Sequence, residues 1–375
     1  MNSRTLESAR LSGSAPASLH VRLKRLAANY REAVERAGGA AVAPVVKANA
    51  YSLGMAPVAR ALMGSGADNF FVARLDEGIA LRIVAPNARI FVLDGIAPDT
   101  APAFVVHRLI PVLNSLDELR QWSARAKQSK QRLEAALQID TGMNRSGIPS
   151  WEVAEIAAEA RSLLAEVDPV LIMSHLACAD EPGHALNRTQ LERFRICLAR
   201  LPPAPASLAA SAGIELGKDY VFDLVRPGLA LYGGNPVPAN ANPYANVVTL
   251  TGRVLQLRRV EPGDTVGYSC GFTAKRPTRL AIAAIGYADG LIRSGGQSGA
   301  AAIGGVRVPF AGRISMDLVA LDVTDVPPEN LESGAEIEFL GETITLEEVA
   351  KAAGTITHEV LTSLAPRAAR FYLEE

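Results

Sequence analysis

The stretch Val45–Gly54, VVKANAYSLG, ends an apolar run on a lysine. A lone lysine at a strand end commonly snorkels to solvent. Here small residues (Ala48, Asn49, Ala50) follow at once, then Tyr51 and Gly54, a pattern that leaves room for something large against the backbone. What Lys47 faces depends on whether residues 43–47 are an isolated strand or the first of a series.

They open a series. After a helical pattern at 22–37, strand-like apolar runs recur near 43–47, 70–74, 89–94, 109–113, 133–140, 169–176, 206–210 and 224–232. Amphipathic stretches such as TQLERFRICLARL (189–201) separate most of them. Eight strands alternating with helices predict a (β/α)8 TIM-type barrel over residues 15–240. A doubly wound sheet requires a glycine-rich fingerprint after its first strand, and none is present. Beyond 240 short β-rich runs alternate with Gly and Pro turns (EPGD, ESGA), and helical patterning returns only near 345–353 and 358–364. A second, mostly β domain is therefore expected over 241–375, with residues 1–14 as an N-terminal extension.

Composition narrows the function. With 38 basic and 39 acidic residues the net charge is -1, so no electrostatic footprint for nucleic acid exists. The longest apolar runs are too short and interrupted to span a bilayer, and the N-terminal segment lacks the apolar core of a signal peptide. Cys178, Cys197 and Cys270 show no metal or redox spacing, and their odd number argues against a disulfide scaffold. The expected compartment is a reducing cytoplasm. His20, His107 and His184 show no metal-ligand spacing and read as structural or surface residues.

A barrel of this kind gathers its active site at the C-terminal ends of its strands. The polar residues there are Lys47 after the first, Arg145 after the fifth, His175 ending the sixth, Ser211 after the seventh, and Arg226 with Gly228 in the eighth. A phosphate corner usually lies after strands seven and eight, where Ser211 and RPGLALYGG stand. A phosphate-bearing cofactor with a reactive carbonyl would use a lysine elsewhere on that mouth, which points to pyridoxal phosphate held as a Schiff base.

VVKANAYSLG, QIDTGMNRSG, MSHLACADEP, VRPGLALYGG, VGYSCGF, AIGYADGL and GRISMDLVALDV together resemble the successive motifs of alanine racemases, in order and spacing, from about residue 15 to the C-terminus. The lysine segment alone is shared with related decarboxylases and a small pyridoxal phosphate-binding protein. The resemblance implies interconversion of L- and D-alanine, for peptidoglycan or for alanine catabolism. It assigns Lys47 to the cofactor and to one face of Cα, and Tyr268 to the opposite face. Racemisation removes a proton on one side and returns one on the other, which two opposed bases suit. In the family the tyrosine comes from the other subunit of a head-to-tail homodimer, so the implied active sites are shared.

By the same resemblance Arg226 faces the cofactor's pyridine nitrogen. A guanidinium, always charged, cannot take that nitrogen's proton-holding role, so the ring is a weaker electron sink and reprotonation at Cα is favoured. Decarboxylases and transaminases want an acidic partner there. The resemblance also assigns His175 to the ring, and Ser211 with the backbone of Gly228 and Leu229 to the phosphate. Arg145 goes to the phenolic oxygen and the substrate carboxylate, Met316 to that carboxylate through its backbone with Asp317 close behind, and Tyr287 to the entrance. Three positions depart from the family. Gln138 replaces a carbamylated lysine; its amide can bond Arg145 but cannot neutralise it, which leaves a place for chloride or another acid. Ala210 replaces an asparagine beside the phosphate serine. His358 replaces a tyrosine near the phosphate, with a pH-sensitive donor. The alternatives are a broader racemase acting on serine or lysine, a decarboxylase, disfavoured by Arg226 and by the lack of a glycine-rich phosphate loop, and a pyridoxal phosphate homeostasis protein. That last reading leaves Tyr268 without a task.

Overall fold

The computed structural model describes residues 15–374, so the extension expected at 1–14 lies outside the described residues. The chain divides into two units. One takes Leu26–Ala50 and Gly54–Ala245; the other takes the described residues up to Arg25, the short piece Tyr51–Leu53, and those from Asn246 on. The division departs from the expected boundary because strand β1 (Ala17–Arg22) pairs with the C-terminal strands rather than entering the barrel. No helix among the described residues is long and apolar enough to cross a membrane.

The first unit is a closed ring of eight parallel strands. They are β2 (Ala41–Val42), β3 (Asn69–Val72), β4 (Arg89–Val92), β5 (Ile110–Leu113), β6 (Leu133–Gln138), β7 (Val167–Met173), β8 (Ala206–Ser207) and β9 (Leu224–Val225). Strands β3 to β8 form one sheet in chain order. The bridge Val45–Phe71 joins the end of β2 to β3, Ala210–Arg226 joins the end of β8 to β9, and β9 pairs with β2 to complete the circle. All four residues of β5 are buried, as expected of strands covered on both faces. The outer helices are amphipathic. In Leu116–Ser129, Leu116, Leu119, Trp122 and Ala126 are buried at helical spacing, and the Ser115 hydroxyl accepts the Glu118 N–H to cap the start.

The eighth strand is shorter than its apolar run predicts. Pro227 has no N–H to donate, and Leu229–Tyr232 winds into a 3₁₀ turn starting at Gly228. After β2 the chain departs further from regular structure. Ala48, Asn49, Ala50, Tyr51 and Ser52 all have φ between 53° and 66°, a full left-handed turn without a glycine. Such backbone costs L-residues roughly 1–2 kcal/mol each, so its surroundings must hold it.

In the second unit β10 (Val248–Val260) is the spine. Its first half pairs with β1 and with Glu336–Leu340; after a register break between Val254 and Gln256 its second half pairs with Thr278–Ala283. Ala369–Leu373 runs parallel to β1 on the other side. Short turns leave this sheet carrying Tyr268, Tyr287 and Met316.

Candidate active site

Lys47 emerges where β2 gives way to the left-handed turn, and its side chain is half-buried. Burial lowers its ammonium pKa, the nearby Arg145 guanidinium lowers it further, and Asp94 and Glu77 pull the other way. Glu77 also fixes the backbone here. One carboxylate oxygen accepts the Ala48 N–H at 2.6 Å, and the other accepts the N–H groups of Ala73 (2.8 Å) and Arg74 (3.2 Å). The Asn49 side-chain oxygen takes the Met55 N–H at 2.8 Å.

Arg145 is exposed on the loop after β6, next to Asn144 in the left-handed region. Asp140 shapes that loop by accepting the Gly142 and Asn144 N–H groups at 2.9 and 3.2 Å. Gln138, read from the sequence as a partner for Arg145, instead donates to the Ser146 hydroxyl (2.7 Å) and carbonyl (3.3 Å). The amide therefore anchors the loop one residue beyond the guanidinium.

Arg226 is buried, and the partners its guanidinium meets are neutral oxygens, with no carboxylate paired to it among the described residues. Its guanidinium donates to the Ser207 hydroxyl and, at 2.6 Å, to the Ser174 carbonyl, and it lies 5.9 Å from the Phe71 ring centre. Burial lowers its pKa to about 10, which still leaves it a cation at neutral pH. His175, half-buried, follows Ser174 directly. Gln190, which the sequence reading missed, is fully buried behind them. It donates to the His175 carbonyl (2.9 Å) and to Thr141 (3.2 Å), and accepts the Ala177 N–H (2.8 Å). The Thr141 and Ser174 hydroxyls bond each other at 2.8 Å. A buried glutamine whose amide both donates and accepts belongs to a network, but nothing local in TQLERF names its partners.

Ser211 is buried at the start of a short helical turn, and its hydroxyl oxygen accepts the N–H groups of Gly228 (3.0 Å) and Ala230 (3.2 Å). The 3₁₀ turn Leu229–Tyr232 aims the Ala230 amide at the serine, and Leu229, assigned with Gly228 to the phosphate by resemblance, lies between the two bonded amides. The Ser211 proton remains free to donate. These residues fit pyridoxal phosphate: an amine with a lowered pKa, a buried cation with no acidic partner, and a cluster of neutral donors.

In the second unit, Tyr268 stands on a tight hairpin tip and is 70% exposed. Gly267, Ser269 and Cys270 around it all have positive φ, and Arg313 bonds the Ser269 hydroxyl at 3.3 Å. Arg313 belongs to the loop that carries Met316. That loop is joined to the Tyr287 turn by Tyr287 N–H to Ser315 O and Ala288 N–H to Met316 O, both 3.0 Å. A Cβ on Gly286 would overlap the Met316 carbonyl, so only glycine permits this approach. The unit thus gathers Tyr268, Tyr287 and Met316 on adjoining loops. His358 is exposed on the helix Thr357–Ser363, with its ring 5.9 Å from that of buried Tyr51. Burial pushes the Tyr51 hydroxyl up to about 12. The same unit secures the left-handed turn's far end: Ser52 donates to Thr362 O (2.9 Å), Arg370 to Ser52 O (3.1 Å) and Tyr372 to Leu53 O (3.0 Å).

Comparisons with known proteins agree with this geometry. Residues 21–236 match the family model for the N-terminal domain of alanine racemase, and 247–372 that for its C-terminal domain. The chain is 46% identical over 358 residues to an alanine racemase of Methylobacterium nodulans, covering 96% of each chain. It is also 46% identical over 363 residues to a catabolic alanine racemase of Agrobacterium fabrum, covering 96% of this chain and 93% of the other. Among solved structures, the alanine racemase of Bartonella henselae with covalently bound pyridoxal phosphate superposes with a TM-score of 0.92 at 36% identity, over 96% of this chain and all of that one.

Proposed function

We infer the activity from a plain premise: the chain belongs to the alanine racemase family. It is a pyridoxal phosphate-dependent isomerase that interconverts L- and D-alanine, and either use of D-alanine, in peptidoglycan or in catabolism, draws on the same reaction. The observation that carries the reading is Arg226, a buried cation in the eighth strand held by neutral oxygens with no carboxylate among the described residues.

When bound, pyridoxal phosphate supplies a carbonyl for the amino group and a ring that draws electrons from Cα. Lys47 would hold its carbonyl carbon, Ser211 with the backbone of Gly228 and Leu229 its phosphate, and His175 and Arg226 its ring. His358 joins the phosphate side on family resemblance. Arg226 already donates to Ser174 O and Ser207; as a permanent cation it does not keep the ring nitrogen protonated, which restrains side reactions in favour of returning a proton to Cα.

Lys47, with its lowered pKa, serves as the base on one face of Cα. Tyr268 serves on the other, contributed by the partner in a head-to-tail homodimer; its exposure at a hairpin tip supports that assignment. Arg145 and the Met316 N–H bind the substrate carboxylate, and Tyr287 narrows the approach. A cytoplasmic setting is supported by Cys178, Cys197 and Cys270, all free thiols.

Chiral analysis of L-alanine incubated with the purified protein and pyridoxal phosphate tests the proposal. Convergence on equal amounts of both isomers is expected. No conversion by protein that carries the cofactor would overturn it.

A further inference from the structure

Arg367 lies in the link between the helix Thr357–Ser363 and the strand Ala369–Leu373. Its guanidinium meets Asp289 with two parallel bonds, Nε to Oδ1 and Nη2 to Oδ2, each 2.7 Å. Its remaining arm, Nη1, donates to Asp317 Oδ1 at 2.6 Å. Three of its donors are thus spent on two carboxylates that stand 28 residues apart in sequence, since 317 − 289 = 28.

Each carboxylate belongs to a different loop of the site. Asp289 is buried and closes the turn that carries Tyr287: its Oδ2 accepts the Gly286 N–H at 2.9 Å, and its own N–H donates to Gly286 O at 3.0 Å. Asp317 follows Met316 directly. The arginine's own segment is fitted against the first turn, because a Cβ on Gly290 would come within 2.9 Å of Leu364 Cα. Between the two loops the backbone provides only the Tyr287–Ser315 and Ala288–Met316 bonds. Two carboxylates flanking that joint repel one another unless a cation lies between them.

We propose that Arg367 is a positioning residue that sets the separation of Tyr287 from the Met316 backbone, and through it the size of the amino-acid side chain the enzyme accepts. This rests on the assignment of Tyr287 and Met316 to the substrate's approach. The Asp289 side is the fixed half: buried, bidentate and tied to the turn. The Asp317 side is the adjustable half, a single bond to an exposed carboxylate. A planar guanidinium can serve both at fixed angles, whereas a lysine ammonium is a point charge that cannot reproduce the fork.

The test compares Arg367→Lys, Asp317→Asn and Tyr287→Ala with the parent holoenzyme, on alanine and on 2-aminobutyrate, which is one methylene larger. For Asp317→Asn and Arg367→Lys the KM for alanine rises about five- to tenfold while kcat falls less than about threefold, and the preference for alanine over 2-aminobutyrate falls about fivefold, within the range one methylene commands. Asp317→Asn, altered at an exposed position, keeps the parent's thermal midpoint and its bound-cofactor absorbance, so the test stands even if Arg367→Lys folds poorly. Unchanged KM and preference in Asp317→Asn, or equal falls in kcat for both substrates with no change in KM, overturn the proposal. If Tyr287→Ala also leaves KM and preference unchanged, the assignment of Tyr287 to the substrate's approach fails as well. If Tyr287→Ala shifts them and Asp317→Asn does not, the role of Arg367 alone is wrong.

Discussion

Glu77 holds the peptide that joins Lys47 to the rest of the chain: its carboxylate takes the Ala48 N–H at 2.6 Å. The same charge pulls the Lys47 pKa upward, against burial and the Arg145 guanidinium, which lower it. One carboxylate therefore steers the lysine's backbone and moderates its acidity, and the loop after β6 supplies the counterweight.

Capture of an aldehyde needs the neutral amine, and a lowered pKa leaves more of it at any given pH. Uptake of pyridoxal phosphate by the apoprotein is expected to rise with pH and to reach half its maximum below the range of an ordinary lysine. Arg145→Gln removes a cation and moves that midpoint up; Glu77→Gln removes an anion and moves it down. Initial rates of the absorbance change across pH measure both. Unmoved midpoints in both variants would show that neither charge acts on Lys47, and a shift against its expected sign would remove the charge concerned.

Tyr268→Phe keeps an exposed ring and loses one hydroxyl, so the unfolding midpoint is expected to stay put. Racemisation falls by about 10²–10³-fold, the usual scale for one general acid–base group. In heavy water, deuterium enters Cα of one alanine enantiomer readily and of the other hardly at all. Equal exchange into both by the variant would remove Tyr268 from its proposed role.

Ser211→Ala strips the acceptor from two buried N–H groups, those of Gly228 and Ala230. Unpaired buried donors cost about 1–3 kcal/mol, so urea unfolding moves to lower concentration. Affinity for pyridoxal phosphate drops about tenfold, which corresponds to about 1.4 kcal/mol, as read by fluorescence titration. Parent-like affinity would place the phosphate elsewhere.

Ala48 is exposed with φ 53°. Ala48→Gly relieves about 1–2 kcal/mol of left-handed strain and adds about 0.5–1 kcal/mol of chain entropy, for a net gain of about 0.5 kcal/mol. Ala48→Val, β-branched at positive φ, destabilises by more than about 1 kcal/mol. Denaturant midpoints for the pair check the sign; a loss in Ala48→Gly would mean that the strain is absent in solution.

The strand series was legible because each buried strand is a compact apolar run between amphipathic stretches, and barrel geometry then aimed Lys47, Arg145, His175, Ser211 and Arg226 at one rim. The run LALY misled in detail, since apolar character alone does not separate a strand from a 3₁₀ turn and Gly228 decided it. The turn after Lys47 was illegible: Ala48, Asn49, Ala50, Tyr51 and Ser52 have no shared preference for positive φ. Bonds from Glu77, Thr362, Arg370 and Tyr372 impose it, and these partners lie far away in sequence. Arg367 was hidden for the same reason, its two carboxylates lying 50 and 78 residues upstream.

The turn at Ala48–Ser52 has a stereochemical corollary. Positive φ is what a residue of the D configuration prefers, by mirror symmetry with the rule that keeps L-residues right-handed. Were this segment assembled by chemical ligation, D-alanine at position 48 would sit more comfortably than the L-alanine found there. A chain that interconverts the two enantiomers of alanine thus winds its own backbone, immediately after Lys47, in the hand that belongs to one of its products.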